Sequence, residues 1–328
     1  MPRMTENTPD VVVLREGVEG LSMESYASEL RERLSTREVW LARTPQEERE
    51  YIKHARVATG WQIDEELLAC AERLELFAST FAGTDHLPMD ALAARGVAVT
   101  SASGIHAPGI AEAAIGNMLL FARNLHEGLR RKQNHEWRHF QSYEFTDSTV
   151  TIVGLGSIGR AIAQRLAGFE VETIGVRYSP EKGGPTDEVI GFDADELHGA
   201  LARTDYLVIA CPLTDLTRGL IGEEEFATLP CHAVLVNTAR GPIVDTDALV
   251  RAIQMNAIRG AALDVTDPEP LPPDHALWYF ENVLITPHTG GHTPQHWPRL
   301  ADIVAGNVRK LEEAGDIEEL ENLVLAPK

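Results

Sequence analysis

Three residues that lie far apart in the chain carry side chains that together could act on a carbonyl group. Arg240, Glu269 and His288 each come shortly after a run of residues typical of a buried β-strand. An imidazole exchanges protons near neutral pH, and a carboxylate that accepts its hydrogen bond favours the protonated ring. A guanidinium offers a permanent charge in a planar fork, which suits a carboxylate or a polarised carbonyl. Each residue alone is more often structural, so the prediction depends on all three occurring together.

A glycine motif precedes these residues in the chain. Gly154, Gly156 and Gly159 form G-x-G-x-x-G, with Ser157 and Ile158 between the last two, after a β-branched run and at the start of a helical pattern. The first glycine permits a tight turn, the second allows close approach of a pyrophosphate, and the third lets helix and strand pack closely. The motif predicts a dinucleotide site, and the alternatives are a structural turn or the nucleotide site of a methyltransferase.

A basic residue stands where an NAD site usually has an acid. The strand before the glycine motif is the first of its sheet, and the next strand along the chain ends at Val176. Arg177, Tyr178 and Ser179 follow it directly. An acidic residue at this place binds the ribose hydroxyls of NAD, whereas a cation with hydroxyl donors suits the 2′-phosphate of NADP. We therefore predict that NADP(H) is preferred. The alternative is that Arg177 stacks on adenine and that NAD(H) is used as well.

The elements that must position these residues alternate between strands and helices, which predicts parallel sheets covered on both faces. In the first hundred residues the predicted strands are Val11–Leu14, Val39–Ala42, Leu74–Ala78 and Val97–Thr100, with helices at Ser22–Arg33 and Ile63–Ala71. A second series has strands at Thr149–Val153, Val171–Val176, Tyr206–Ala210, Ala233–Asn237, Ala261–Asp264 and Val283–Ile285. In an open parallel sheet the carboxyl ends of the strands form the ligand crevice. The sequence thus predicts the α/β class, with two Rossmann-like or flavodoxin-like domains, doubly wound parallel sheets and a cleft between the domains.

Two further helical patterns flank the second series. One helix is predicted from Pro108 to Leu129 and an amphipathic helix from Gln295 to Leu311. We expect Trp297 to shape a substrate pocket or to pack between domains. His288, His292 and His296 recur at helical spacing, but glycines and a proline interrupt any helix there, so no metal site is predicted.

The chain resembles the D-isomer-specific 2-hydroxyacid dehydrogenase family over essentially its whole length. The resemblance is carried by four ordered motifs: the glycine motif at 154–159, Asn237-Thr-Ala-Arg-Gly, Asp264-Val-x-x-x-Glu-Pro-Leu and Pro287-His-x-Gly-Gly. It implies reversible hydride transfer from NAD(P)H to a 2-oxo acid, giving a D-2-hydroxy acid. It also implies that Arg240, Glu269 and His288 are the catalytic set, with Arg240 and His288 on the substrate.

The resemblance extends to the remaining candidate residues. It places the substrate carboxylate on the loop of Ala82, Gly83 and Thr84, although small residues after a strand are also typical of an ordinary turn. Beyond the glycine motif and the Arg177 segment, Cys211 and Pro212 are expected at the adenosine pocket, and the alternative for them is an ordinary loop. Thr238, Ala239 and Asp264 are expected at the nicotinamide. Asp264 would orient the carboxamide or ribose, and its alternative is a turn or helix cap.

The same resemblance suggests how the chain is divided. Residues 1–103 with 292–328 would form the substrate-binding domain and residues 104–291 the dinucleotide-binding domain. The helix from Pro108 would contribute to a homodimer. Glu269 argues against a formate dehydrogenase, which needs no proton transfer, and a regulated phosphoglycerate dehydrogenase would need a longer chain. A corepressor-type binding protein with the same fold stays open.

The charge balance narrows the partners. The 328 residues contain 29 Lys and Arg against 50 Asp and Glu, a formal net charge of −21, which argues against nucleic acid or an anionic membrane as partner. Acidity of this size with few lysines favours adaptation to high salt, and the alternative is an ordinary acidic protein. The three cysteines form no CxxC pair, Met1–Asp10 is polar, and no apolar run is long enough to span a bilayer. We therefore expect a cytoplasmic protein.

Overall fold

The structure is a computed structural model that describes residues 8–16, 21–313 and 317–327. Residues 1–7, most of the polar stretch considered above, lie outside the described residues. The chain forms two compact units, here called the first unit (Met1–Ile105 with Thr293–Lys328) and the second unit (His106–His292). Each contains a mainly parallel sheet, which confirms the predicted α/β class.

The elements follow one another in the alternation that the sequence predicts. The strands are β1 (Val11–Val13), β2 (Val39–Leu41), β3 (Val57–Gly60), β4 (Leu76–Ser79), β5 (Ala98–Thr100), β6 (Thr149–Val153), β7 (Glu172–Val176), β8 (Glu188–Ile190), β9 (Tyr206–Ile209), β10 (Val234–Asn237), β11 (Gly260–Leu263), β12 (Val283–Ile285) and β13 (Leu323–Leu325). The α-helices are α1 (Met23–Arg33), α2 (Pro45–Tyr51), α3 (Glu65–Cys70), α4 (Met89–Ala94), α5 (Ala107–Ala122), α6 (Leu125–Gln133), α7 (Ser157–Leu166), α8 (Ala194–Leu201), α9 (Glu223–Thr228), α10 (Thr246–Gln254) and α11 (His296–Glu313). Short 3-10 helices lie at Pro180–Lys182, Gly241–Ile243, Ala276–Tyr279 and Ile317–Glu319.

Side-chain caps explain where several helices begin. Ser22, Thr44 and Asp64 accept hydrogen bonds from backbone N–H groups in the first turns of α1, α2 and α3. Asp193 and Asp245 do the same for α8 and α10. These short polar side chains satisfy N–H groups that have no partner inside the helix.

The sheet of the first unit has the order β13-β5-β4-β3-β1-β2, with β13 antiparallel to β5 and the other pairs parallel. Val11 and Val13 lie in one core cluster with α1 and α11, while Val12 lies in the cluster on the opposite face. The strand β3 was not predicted, because Ala58 and Gly60 weaken its strand pattern. Burial between β1 and β4 nevertheless makes it part of the sheet.

The sheet of the second unit has the order β12-β11-β10-β9-β6-β7-β8, and all its pairs are parallel. The chain runs outward from β6 to β8 and then returns to the other side of β6 at β9. The strand order therefore reverses between β6 and β9, which is where doubly wound sheets open a crevice at their carboxyl ends. The short edge strand β8 was not predicted, since it has three residues and begins with a glutamate.

The single helix predicted from Pro108 to Leu129 is wrong. The chain leaves the helix after Ala122, and Asn124 adopts a left-handed conformation with φ of 51° before α6 begins. Arg259 stabilises this break by donating to the Asn124 side chain (2.7 Å) and to the Phe121 carbonyl oxygen. Asparagine tolerates this backbone conformation better than most residues.

The position of Trp297 supports neither of its two expected roles, at a substrate pocket or between domains. It is buried in the core of the first unit, where its ring stacks on Tyr26 at 4.7 Å. Residues 288–295 are not helical, so the three regularly spaced histidines share no helix face. Within the part of the chain that the structure describes, no helix is both long and apolar enough to cross a membrane.

Candidate active site

The turn after β6 is built from glycines for steric reasons. Gly154 has φ of 103°, and a β-carbon there would lie 2.6 Å from the Cα atom of Cys211. A β-carbon on Gly159 would lie 1.8 Å from the carbonyl oxygen of Gly154. Both positions therefore require glycine to bring β6, the start of α7 and the loop after β9 together.

The N-terminus of α7 is open. Gly156 is its N-cap residue, and no atom lies within 4 Å of the position that a β-carbon would take there. Ser157 is exposed, Ile158 is half-buried, and α7 has neither a side-chain cap nor an acid in its first turn. Uncapped N–H groups at the positive end of a helix bind anions. This end of the second unit therefore fits the pyrophosphate of a dinucleotide.

Arg177 directly follows β7, and a hydrogen bond holds its side chain in place. Its Nη1 atom donates to the carbonyl oxygen of Gly183 at 2.5 Å, and its backbone N–H donates to Ile190. Tyr178 is exposed, and Ser179 precedes the 3-10 helix Pro180–Lys182. A guanidinium has five N–H donors, so most of them stay available to an anion at this strand end.

Four candidate cofactor residues follow β9 and β10, which are neighbouring strands of the sheet. Cys211 is buried, and this burial raises the pKa of its thiol to about 11. Pro212 is exposed. Thr238 and Ala239 are buried, and the Thr238 hydroxyl donates to the carbonyl oxygen of Ile209 at 3.1 Å.

Arg240 stands on a loop that a buried asparagine holds in shape. Asn237, the last residue of β10, donates from Nδ2 to the Arg240 carbonyl oxygen and accepts at Oδ1 from the Ala239 N–H, both at 3.1 Å. The Arg240 side chain is exposed, and its Nη1 donates to the Ala239 carbonyl oxygen at 2.7 Å. Asn237 was not predicted as a site residue, although a polar side chain at the end of a buried strand could have indicated it.

The loop that follows β11 lies directly against the Arg240 loop. A β-carbon on Gly241 would lie 2.0 Å from the carbonyl oxygen of Thr266, so glycine is needed for the close approach. The Thr246 hydroxyl donates to the carbonyl oxygen of Asp267 at 3.0 Å. Glu269 lies on this second loop, which contains cis peptide bonds before Pro268 and Pro270. Because β10 and β11 are neighbours in the sheet, both loops leave from the same edge.

His288 and Glu269 form a direct pair. The Nδ1 atom of His288 lies 2.6 Å from Oε1 of Glu269, and 49% of the His288 side chain is accessible. With Nδ1 held by the carboxylate, Nε2 is the ring atom left to exchange a proton with a bound molecule. A histidine held in this way can act as a general acid and base.

Asp264 follows β11 and is engaged by the loop that carries His288. Its carboxylate accepts from the Thr286 hydroxyl (2.6 Å) and from the N–H groups of Thr289 (2.9 Å) and Gly290 (2.8 Å). Asp264 thus caps the turn after β12, as its alternative role predicts, although the sequence did not indicate which groups it would bind.

The candidate substrate loop belongs to the first unit. Ala82 and Gly83 are exposed after β4, and no atom lies within 4 Å of a β-carbon built on Gly83. The N–H of Leu87 donates to the Thr84 carbonyl oxygen at 3.0 Å, which closes a second turn directly after this loop.

The regularly spaced histidines do not gather around a common point. Among the described residues, the group of side chains able to surround a metal ion is His198, Glu224 and Glu225, on α8 and α9. It includes none of the residues considered for the active site.

Known proteins resemble this chain in sequence and fold. The model for the NAD-binding domain of D-isomer specific 2-hydroxyacid dehydrogenases matches residues 115–290. The glyoxylate reductase of Thermofilum pendens is 35% identical over 254 residues, 75% of this chain and 74% of that protein. The D-3-phosphoglycerate dehydrogenase of Methanocaldococcus jannaschii is 31% identical over 89% of this chain, a match that spans 56% of that protein. A solved D-isomer specific 2-hydroxyacid dehydrogenase from Xanthobacter autotrophicus Py2, in complex with NADPH and MES, is 28% identical, with a TM-score of 0.78 over 97% of this chain and 98% of that chain.

These likenesses agree with the geometry of the second unit. Its strand order and its open glycine turn suit a dinucleotide. The family model covers more than half of the chain, including the strand ends that carry Arg240, Glu269 and His288. The chain therefore belongs to the D-isomer-specific 2-hydroxyacid dehydrogenases, a family of NAD(P)-dependent oxidoreductases that interconvert 2-oxo and 2-hydroxy acids.

Proposed function

We propose that the protein reduces a small 2-oxo acid to the D-2-hydroxy acid, reversibly, with His288 as the general acid and base. The observation that carries the proposal is the 2.6 Å hydrogen bond between His288 and Glu269 on an exposed strand end. The adjoining loop, which packs against the Glu269 loop at Gly241, carries Arg240. A carbonyl oxygen that becomes an alkoxide needs a proton donor and a positive charge nearby, and His288 and Arg240 are suited to supply them.

Each side chain has a separate task in this proposal. The bound nicotinamide supplies or takes up the hydride. His288 gives a proton from Nε2 to the carbonyl oxygen in the reductive direction and accepts it back in the oxidative direction. Glu269 stabilises the protonated ring from the Nδ1 side, and Arg240 binds the substrate carboxylate and polarises the carbonyl group.

The first unit would take part through its exposed turn. We propose that the backbone N–H groups of Ala82, Gly83 and Thr84 hold the substrate carboxylate, which makes this unit the substrate-binding domain. Support comes from the exposure of Ala82 and Gly83 and from the open space around Gly83. Successive N–H groups in a small-residue turn form a common anion site.

Small 2-oxo acids are the proposed substrates. The Thermofilum pendens relative bears the name glyoxylate reductase, and its match spans most of both proteins. We therefore propose glyoxylate and similarly small 2-oxo acids as the first candidates.

NADP(H) is the proposed cofactor, with NAD(H) used less well. Arg177 supports this choice, because it stands at the end of β7 where an NAD enzyme usually has an acid. The solved relative from Xanthobacter autotrophicus Py2 is a complex with NADPH. In this proposal Tyr178 and Ser179 contribute hydroxyl groups near the 2′-phosphate, Gly154 to Gly159 contact the pyrophosphate, and Cys211, Pro212, Thr238, Ala239 and Asp264 surround the remainder of the cofactor.

We also propose a cytoplasmic homodimer adapted to high salt. Leu125, Leu129, Trp137 and Tyr143 expose apolar surface on α6 and the segment after it, as an interface between two copies would. Cys70, Cys211 and Cys231 are free thiols, which suits a reducing compartment.

His288→Ala tests the proposed reaction. Loss of the proton donor should lower kcat for 2-oxo acid reduction by about 10²- to 10⁴-fold, while the Kd for NADPH changes little. Steady-state rates and quenching of NADPH fluorescence measure the two quantities. His232→Ala is a matched control, because His232 pairs with Asp205 at 2.8 Å before β10, at the opposite edge of the same sheet. A His288→Ala variant with undiminished kcat would remove His288 from the mechanism.

A further inference from the structure

We propose that Asp264 is a positioning residue for His288: its carboxylate fixes the loop that carries the imidazole. The inference rests on the proposed function, because it assigns a task to Asp264 within the same site. The positioning of His288 is a different task from the contact with the cofactor that is proposed for Asp264 above.

The contacts of Asp264 lie on both sides of His288 in the chain. Oδ1 accepts from the Thr286 hydroxyl at 2.6 Å and from the Thr289 N–H at 2.9 Å, while Oδ2 accepts from the Gly290 N–H at 2.8 Å. The backbone carbonyl oxygen of Asp264 accepts from the His288 N–H at 2.9 Å. Asp264 thus accepts hydrogen bonds from four residues of the loop.

The loop needs such support because of the backbone at His288. His288 has φ of 53°, in the left-handed region that residues other than glycine adopt uncommonly. A residue keeps such a conformation only where its surroundings impose it. Asp264 accepts hydrogen bonds from Thr286, from His288 itself and from the two residues after it, so these bonds fix the direction in which the imidazole leaves the backbone.

The chemistry of the contact favours a carboxylate over an amide. Asp264 is 6% exposed, and three donors converge on its two oxygens. An asparagine would place an NH₂ group against N–H or O–H donors. Position 290 needs a glycine for the carboxylate to come this close, since a β-carbon there would lie 2.7 Å from Oδ2 of Asp264. A carboxylate has about four lone-pair sites, so one remains for a cofactor and the two roles are compatible.

A pair of substitutions at Thr286 isolates the positioning role. Thr286→Val removes the hydroxyl donor and keeps the shape of the side chain, whereas Thr286→Ser restores the donor. With saturating NADPH and a 2-oxo acid that the wild type reduces, we expect Thr286→Val to lower kcat about tenfold, with the NADPH Kd within about twofold of wild type. Thr286→Ser should recover most of the lost kcat. Asp264→Asn should lower kcat further.

A matched control comes from a second Thr–Asp pair in the same sheet. Thr173 donates to Oδ2 of Asp187 at 2.6 Å near the amino end of β7. Thr173→Val removes the same kind of bond and should lower the melting temperature without lowering kcat. A kcat loss in Thr173→Val equal to that in Thr286→Val would make the effect one of general stability and would overturn the proposal.

Two other outcomes would also overturn it. Wild-type kcat in Thr286→Val would show that the contact does not position the histidine. Weaker NADPH binding with kcat retained would assign the contact to the cofactor instead. His288→Ala is measured alongside: if it is inactive while Thr286→Val is fully active, only the positioning role fails, and if His288→Ala keeps full activity, the proposed function fails together with it.

Discussion

At the level of single residues, the charged side chains of the candidate site lie next to polar groups that hold them in place. His288 has its carboxylate partner at 2.6 Å, and the Arg240 loop is fixed by the buried amide of Asn237. Arg177, directly after β7, donates from its side chain to the backbone carbonyl oxygen of Gly183. Side chains held in this way lose little freedom on binding an anion, which favours both affinity and specificity.

Arg177→Asp tests the assignment of the 2′-phosphate. The change removes a charge-assisted contact and adds repulsion, so the preference for NADPH over NADH, as the ratio of kcat/KM values, should fall about ten- to a hundredfold. Arg73→Asp makes the same charge change on an exposed residue of the first unit and should leave the ratio unaltered. An unchanged ratio in Arg177→Asp would disprove a phosphate contact.

The sequence allows residues to be proposed by type and by position after a strand, but not the bonds that hold them. Arg240, Glu269 and His288 could be singled out because their side chains suit carbonyl chemistry and each follows a strand pattern. The contacts of Asp264 with Thr286, Thr289 and Gly290 could not, since they require the left-handed backbone at His288.

At the level of elements, the sheet of the second unit brings the candidate residues together, because its strands are parallel and their carboxyl ends lie on the same side of the sheet. The glycine turn follows β6, the Arg177 segment follows β7, and the candidate catalytic loops follow β10, β11 and β12. Gly154 brings the first of these turns against Cys211 after β9. The order of the strands therefore accounts for the convergence of residues that are distant in sequence.

Two glycines of the same motif should respond differently to alanine. At Gly159 a β-carbon meets the Gly154 carbonyl oxygen at 1.8 Å, so Gly159→Ala should destabilise the protein by about 3 kcal/mol. At Gly156 there is open space, so Gly156→Ala should fold normally and weaken NADPH binding about tenfold. Thermal unfolding and fluorescence titration measure the two effects. Normal NADPH affinity in a stable Gly156→Ala variant would contradict the placement of the pyrophosphate.

Elements with strong patterns were predictable and short or interrupted ones were not. The strands β6 and β12 have the predicted bounds, because β-branched and aliphatic residues fill them. The strands β3 and β8 were missed, since small or acidic residues obscure their patterns and only the neighbouring strands make them part of a sheet. The break at Asn124 depends on bonds from Arg259, which lies far away in the sequence.

At the scale of the whole molecule, the net charge of −21 is the main feature beyond the two α/β units. Repulsion among unpaired carboxylates opposes folding at low ionic strength. The screening length falls from about 10 Å at 0.1 M salt to about 3 Å at 1 M. Salt should therefore stabilise the folded state if this surface is an adaptation to high salt.

The melting temperature should rise when KCl is increased from about 0.1 to 1 M at neutral pH. The control is the same titration near the sequence pI of about 4.9, where net repulsion vanishes and the salt effect should shrink. A melting temperature that is independent of salt at neutral pH would disprove the adaptation.

The rate of NADPH oxidation with a panel of 2-oxo acids, beginning with glyoxylate, tests whether the protein is a 2-oxo acid reductase. We expect saturable turnover that consumes one NADPH per 2-oxo acid and yields the D-2-hydroxy acid where the product is chiral. Tight binding of NADPH without turnover of any 2-oxo acid would contradict it and would instead indicate a protein that uses this fold only to bind the nucleotide.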